Sequence, residues 1–226
     1  MAKEITIALA GNPNSGKSTV FNNLTGGRQH VGNWPGVTVE KKEGTCRYQD
    51  YTINVVDLPG VYSLTAHSLD EVVARNFIVE GKPNLVVQIV DASNLERNLY
   101  LTIQLLELGA NLVLALNMSD VAESRGHEID IKQLSSLLGL PVVRMVASRN
   151  DGTKELLKEV VRAAEDQAEG RRFRVHYGTE VEEEIAKLED LISKDEELRR
   201  KYSPRWLAIK LLEEDEEVIR AIKGHG

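Results

Sequence analysis

Residues 11–18 read Gly-Asn-Pro-Asn-Ser-Gly-Lys-Ser, the pattern G-x-x-x-x-G-K-[ST]. No other stretch constrains the fold as tightly, because such a loop works only between a strand and a helix. The glycines let backbone amides turn inward around phosphates, and a helix starting at the loop's end aims its partial positive charge at them. Both flanks suit this: Ile5–Ala10 is apolar and Lys17–Leu24 is amphipathic. Lys17 is expected to reach the β- and γ-phosphates and the Ser18 hydroxyl to ligate Mg²⁺. Asn12, Asn14, Ser15, Gly16 and Thr19 complete the expected phosphate contacts.

The pattern of strand followed by helix continues. Tyr51–Val56, Leu85–Val90, Leu112–Leu116 and Val142–Val146 are short apolar runs rich in β-branched residues, as expected of strands buried on both faces of a mainly parallel sheet. Helical patterns lie between and after them at Leu69–Ile78, Leu95–Leu108, Ile131–Leu138 and Lys154–Ala168. Gly44–Gln49 reads as an extra strand forming an antiparallel hairpin with Tyr51–Val56 through Asp50. The expected architecture is α/β and doubly wound, with a mainly parallel six-stranded sheet flanked by helices. After Gly170 the texture changes. Arg171–Tyr177 is a basic link, and four charged helices follow at Val181–Ser193, Asp195–Tyr202, Pro204–Leu212 and Asp215–Lys223. We expect a domain over 1–168 and a small all-α domain over 169–226. The acidic runs at 182–184 and 213–217 read most simply as solvated helix faces.

Composition narrows the function classes. Lysine plus arginine is 28 against 35 aspartate plus glutamate, a net charge of −7, which disfavours nucleic acid and anionic membranes as partners. The single cysteine, Cys46, allows no internal disulfide and no structural zinc site, and the five histidines show no ligand spacing. No apolar run nears the roughly 18 residues of a membrane span, and Met1-Ala2-Lys3-Glu4 leads straight into a strand without a signal-peptide pattern. A soluble, cytosolic chain is expected.

Three further elements carry chemistry. Asp57-Leu58-Pro59-Gly60 ends an apolar run: Asp57 is placed to hold Mg²⁺, and the Gly60 amide to meet a γ-phosphate. Gly36-Val37-Thr38 lies in the loop 28–39, where Thr38 offers Mg²⁺ a second hydroxyl and the loop a switch. Asn117-Met118-Ser119-Asp120 follows the Leu112–Leu116 run. The Asp120 carboxylate can accept from guanine N1–H and the exocyclic amine, a pair adenine lacks. Asn117 would tie this base loop to the phosphate loop. Ala147 and Ser148 offer backbone amides to the guanine carbonyl.

Taken in order, these elements resemble the translation-factor-related class of small GTPases over residues 1–167. Met118 departs from the usual N-K-x-D, standing where lysine packs across the nucleotide. The stretches 11–19, 31–40 (Val-Gly-Asn-Trp-Pro-Gly-Val-Thr-Val-Glu), 57–64 (Asp-Leu-Pro-Gly-Val-Tyr-Ser-Leu) and 117–120 are more narrowly similar to the cytosolic GTPase domain of the ferrous iron transport protein B family. That resemblance implies GTP and GDP as ligands, Mg²⁺, a small helical domain, and a larger parent with a membrane domain after residue 226. It places the chain at the cytoplasmic face of the membrane and leaves room for a homo-oligomer. Val61 occupies the position where many GTPases carry a water-orienting glutamine. In related GTPases an asparagine matching Asn14 serves K⁺, and in this family switch-loop carbonyls, here Gly32 and Trp34, would complete the site. Catalysis is thus expected from Lys17, Asn14, Thr38 and Gly60, with Gly36 beside Thr38 at the nucleotide. The Trp34 ring reads equally as stacking on the nucleotide or binding a partner and as packing on its own loop, and Arg28 as solvated. The alternative reading is a ribosome-assembly or tRNA-modification GTPase acting on RNA, which the acidic charge disfavours.

Overall fold

The computed structural model describes residues 3–65, 67–166 and 175–223. Strand β1 (Lys3–Gly11) sits in the middle of a sheet ordered β2-β3-β4-β1-β5-β6-β7. The other strands are β2 (Gln29–Asn33), β3 (Glu40–Tyr48), β4 (Tyr51–Asp57), β5 (Leu85–Asp91), β6 (Leu112–Asn117) and β7 (Val142–Arg144). β4, β1, β5, β6 and β7 run parallel, while β3 is antiparallel to β4 and β2 to β3.

The sheet therefore has seven strands where six apolar or hairpin runs were legible. The added one, β2, comes from the expected switch loop. All five of its residues are exposed, so no alternation marks it; only backbone pairing from Gln29↔Gly44 to Asn33↔Glu40 makes it a strand. β3 begins four residues earlier than expected and β7 ends two residues sooner.

Residue size on β1 sorts the two layers. Ile5, Ile7 and Leu9 face Val20, Phe21 and Leu24 of α1 (Lys17–Thr25) and Leu156, Val160 and Val161 of α6 (Thr153–Glu165). Ala8 and Ala10 face the other layer, with Val73, Ala74 and Ile78 of α2 (Leu69–Glu80) and Leu101 and Leu105 of α3 (Leu95–Glu107). α2 is fixed at its start by a capping box between Ser68 and Glu71. Two short helices, α4 (Ser119–Ser124) and α5 (Ile131–Leu138), flank β6 and β7. Loops at the C-terminal ends of β1, β4 and β6 thus meet on one edge of the sheet, the usual ligand edge of a parallel α/β fold.

The remaining helices are α7 (Thr179–Lys194), α8 (Glu196–Lys201), α9 (Pro204–Leu212) and α10 (Glu216–Lys223). They close on their own core of Ile185, Ile192, Trp206, Leu207, Ile209 and Val218, with Leu108 from the end of α3 packed against it. The expected boundary at 168/169 lies outside the described residues, as does most of the basic link. The acidic runs are not simply solvated faces. Glu182 is bonded to Arg205 Nη1 and Nη2 at 2.9 and 2.8 Å, and Asp215 is buried against Arg75 Nη1 of α2 at 2.8 Å. Lys201 pairs with Glu80, and the Tyr177 hydroxyl donates to Glu107 of α3, so ion pairs and hydrogen bonds join the helical unit to α2 and α3. No helix among the described residues is long and apolar enough to cross a membrane.

Candidate nucleotide site

The phosphate loop begins where β1 ends. Asn14 and Gly16 both take positive φ, 66° and 88°, and turn the chain into α1. Only glycine fits at 16, because a Cβ there would lie 2.3 Å from Asn117 Nδ2. Lys17 and Ser18 open α1, whose first turn holds no acidic residue to oppose an anion.

An open cleft of about 530 Å³ lies beside this turn, lined by Lys17, Ser18, Thr38, Asp57, Gly60 and Asp70 among others. Lys17 Nζ is ion-paired with Asp57 Oδ1, and both side chains are largely buried. Asp57 ends β4, in register with Leu9 of β1 and Lys42 of β3. The segment after it is held to the end of β1, where the phosphate loop begins: Leu58 N donates to Leu9 O at 3.0 Å and Val61 N to Gly11 O at 3.2 Å. The Val61 side chain is buried in the layer of α2 and α3 and offers nothing to a water.

Ser18, Thr38 and Asp57 thus share one cleft, two hydroxyls and a carboxylate, a hard oxygen set that suits Mg²⁺ completed by phosphate oxygens and water. The described residues contain no cluster of three or more His, Cys, Asp or Glu side chains that would suit a different ion. Thr38 is exposed, and Gly36 takes φ 74° just before it.

The potassium set does not assemble in the same way. Asn14 lies in the phosphate loop after β1, but Gly32 is paired with Lys41 in edge strand β2, which β3 and β4 separate from β1. The Trp34 carbonyl accepts from Val37 N at 3.2 Å. The Trp34 ring is packed, not presented to a ligand: it is buried edge-on to Phe77 with centroids 5.1 Å apart, and Lys41 Nζ lies 5.0 Å from its centroid.

At the base end, Asn117 joins three loops. Its Nδ2 donates to Ser15 O and its Oδ1 accepts from Ala147 N, both at 2.9 Å, and it is buried. Met118 takes φ 57°, and its Cε comes within 3.8 Å of the position of a Gly16 Cβ, so its side chain spans toward the phosphate loop as the usual lysine stem would. Asp120 is partly exposed. Its Oδ1 accepts from Val121 N at 3.0 Å and its Oδ2 lies 3.4 Å from Arg149 Nη2.

Two residues of this end escaped the sequence reading. Asn23 of α1 donates to Ala147 O at 2.8 Å, and Arg149 faces Asp120. Asn23 looks like any polar position on an amphipathic helix. Arg149 was findable, since it directly follows Ser148 and brings the one charge of opposite sign near Asp120 in that loop. Cys46 is half-buried, and burial pushes its thiol up to about 11, so it is inert.

Residues 5–160 match the family model of ferrous iron transport protein B, and 177–226 match that of its cytosolic helical domain. The chain belongs to the ferrous iron transport protein B family.

The FeoB G domain is a P-loop GTPase, and the fold over residues 5–160 is that domain. The Fe(2+) transporter FeoB of Salmonella choleraesuis is 48% identical over 218 residues, covering 94% of this chain and 27% of that protein. The chain therefore spans about a quarter of the length of the curated relatives it matches. The cytosolic domain of T. maritima FeoB in a GDP form superposes with a TM-score of 0.91 at 42% identity, covering 96% of this chain and 85% of that one. Its GMPPNP form gives 0.89 at 42% identity, over 96% and 84%.

Proposed function

We propose that this chain binds GTP and GDP with Mg²⁺, hydrolyses GTP, and by that cycle regulates or drives Fe²⁺ movement through the membrane part of a longer transporter. One observation carries the reading: Lys17, Ser18, Thr38, Asp57 and Gly60 come from three separate segments and line one cleft, with Asn117 bracing the base end. The solved T. maritima relative in GDP and GMPPNP forms supports guanine nucleotide as the ligand. We assign residues 1–168 to this G domain and 169–226 to the helical one.

In this reading Asp120 selects guanine, helped by the loop amides of Ala147 and Ser148. The amides of Asn12, Asn14, Ser15, Gly16, Lys17, Ser18 and Thr19 hold the phosphates, and Lys17 bridges β and γ. Ser18, Thr38 and Asp57 would hold Mg²⁺, which would supply positive charge beside the phosphates. Gly60 donates its amide to the γ-phosphate, and the Gly36–Thr38 loop closes over it. Asn14 supplies an oxygen beside the phosphates for K⁺. Recruiting Gly32 and Trp34 to that ion requires residues 29–34 to leave their present pairings.

The test is steady-state hydrolysis of GTP and ATP at fixed Mg²⁺, in KCl against NaCl at equal ionic strength. GTP turnover without ATP turnover is expected, stimulated by K⁺ in the wild type and not in Asn14→Ala. Equal rates in both salts refute the K⁺ role, and ATP turnover refutes the role of Asp120. Radio-iron uptake by a full-length relative carrying these residues, with Lys17→Ala as the inactive control, tests the coupling to transport.

A further inference from the structure

We infer that Gln104 of α3 is a positioning residue for GTP hydrolysis: it clamps the segment after Gly60 in register with the phosphate loop. Gln104 is buried, and both ends of its amide are used. Oε1 accepts from Leu64 N at 2.8 Å, and Nε2 donates to Ser63 Oγ at 3.3 Å. Ser63 Oγ also accepts from Thr65 N at 3.1 Å and lies 2.9 Å from Thr65 Oγ1, so one side chain on a rigid helix orders a run of three loop residues. Leu64 itself is buried in the same apolar layer as Leu101 and Leu105 of α3.

The other end of this segment is pinned where Val61 N donates to Gly11 O. Gly60 lies beside that first anchor, and Gln104 supplies the second four residues beyond it. There is little slack between them, since only Tyr62 and Ser63 separate the Val61 anchor from the Leu64 one. Val61 is turned into the core and brings no side chain to the reacting water, so the segment acts through its backbone groups. Backbone donors act only where they are held, and a misplacement of about 1 Å costs on the order of a hundredfold in rate. A glutamine suits the clamp because an apolar residue at 104 would leave the buried Leu64 amide unpaired.

The inference rests on GTP turnover at this cleft, which wild-type protein in the same assay checks separately. Gln104→Leu is expected to lower kcat about tenfold while KM for GTP and Kd for GDP stay within about twofold, the signature of an interaction made for the transition state. Gln104→Glu keeps an oxygen for the Leu64 amide, offers its second oxygen to the Ser63 hydroxyl as donor in place of the lost Nε2–H, and is expected to retain kcat within about twofold. The inference is overturned by a Leu variant with wild-type kcat, by parallel loss of kcat and GDP affinity, or by a Glu variant as slow as the Leu variant. Should Gln104→Leu not fold, hydrogen exchange at the Leu64 amide of wild-type protein with GMPPNP decides. Protection supports the clamp, and exchange at open-loop rates overturns it.

Discussion

Lys17 and Asp57 are paired with each other across the nucleotide cleft, although phosphate and Mg²⁺ are the ligands each would serve. Loading the site therefore exchanges one charge contact for two. Asp57→Asn is expected to abolish the Mg²⁺ dependence of GDP binding and to cut GTP hydrolysis by about a hundredfold, in line with loss of a buried charged contact. In EDTA the same variant is expected to bind GDP at least as tightly as wild type, because Lys17 is free. Titration of a fluorescent GDP with and without Mg²⁺ reads both effects; a variant weakened equally in both buffers contradicts the exchange.

Asp120, partly exposed in the base loop, holds its carboxylate toward the exposed Arg149. Asp120→Asn reverses one donor–acceptor pair: the new amide meets the C2 carbonyl of xanthine and repels the guanine amine. GDP affinity is expected to fall about a hundredfold and XDP to become the better ligand. Competition between the two nucleotides checks it.

The Arg75–Asp215 pair is buried and spans the G and helical units. Arg75→Met leaves Asp215 uncompensated and is expected to cost about 3 kcal/mol in denaturant unfolding. Adding Asp215→Asn removes the stranded charge, keeps an oxygen for the Val218 amide that Asp215 Oδ1 caps at 3.1 Å, and is expected to restore most of that loss. A double variant as unstable as the single one argues that the pair's value lies elsewhere.

Glu182 is held down at about 2, first by the Arg205 guanidinium and then by the Tyr177 amide. Its folded value lies below its ordinary one, so its contribution is present above about pH 4.5 and is lost as pH falls toward 2. Wild type is expected to lose melting temperature through that window more steeply than Glu182→Gln. Matching slopes in the two proteins would remove Glu182 as the cause.

The parallel strands were legible because burial on both faces writes a continuous apolar run, as in Ile5–Ala10. The phosphate loop, Asp57, Asn117 and Asp120 were legible because each sits at the end of such a run. Asn117 reads as a tie between the base loop and the phosphate loop, and its contacts to Ser15 O and Ala147 N make that tie. What stayed hidden has a common cause. β2 is defined by partner backbone and not by its own side chains. Asp215 and Glu182 sit in acidic runs whose appearance is the same whether a partner waits 140 residues away, as Arg75 does, or only water. The Trp34 ring fits a ligand or a core equally well until Phe77 is found against it.

The pairing of residues 29–33 as an edge strand has an energetic consequence. If the loop must leave β3 to close over a γ-phosphate, the closed form starts as a minority population. GTP then spends part of its extra contacts on unzipping that ladder, whereas GDP does not ask for it. The measured preference for triphosphate over diphosphate would be smaller than the contacts themselves supply, in proportion to the fraction of molecules already unzipped. Shortening or weakening the β2–β3 pairing would raise that preference without altering any atom that touches nucleotide.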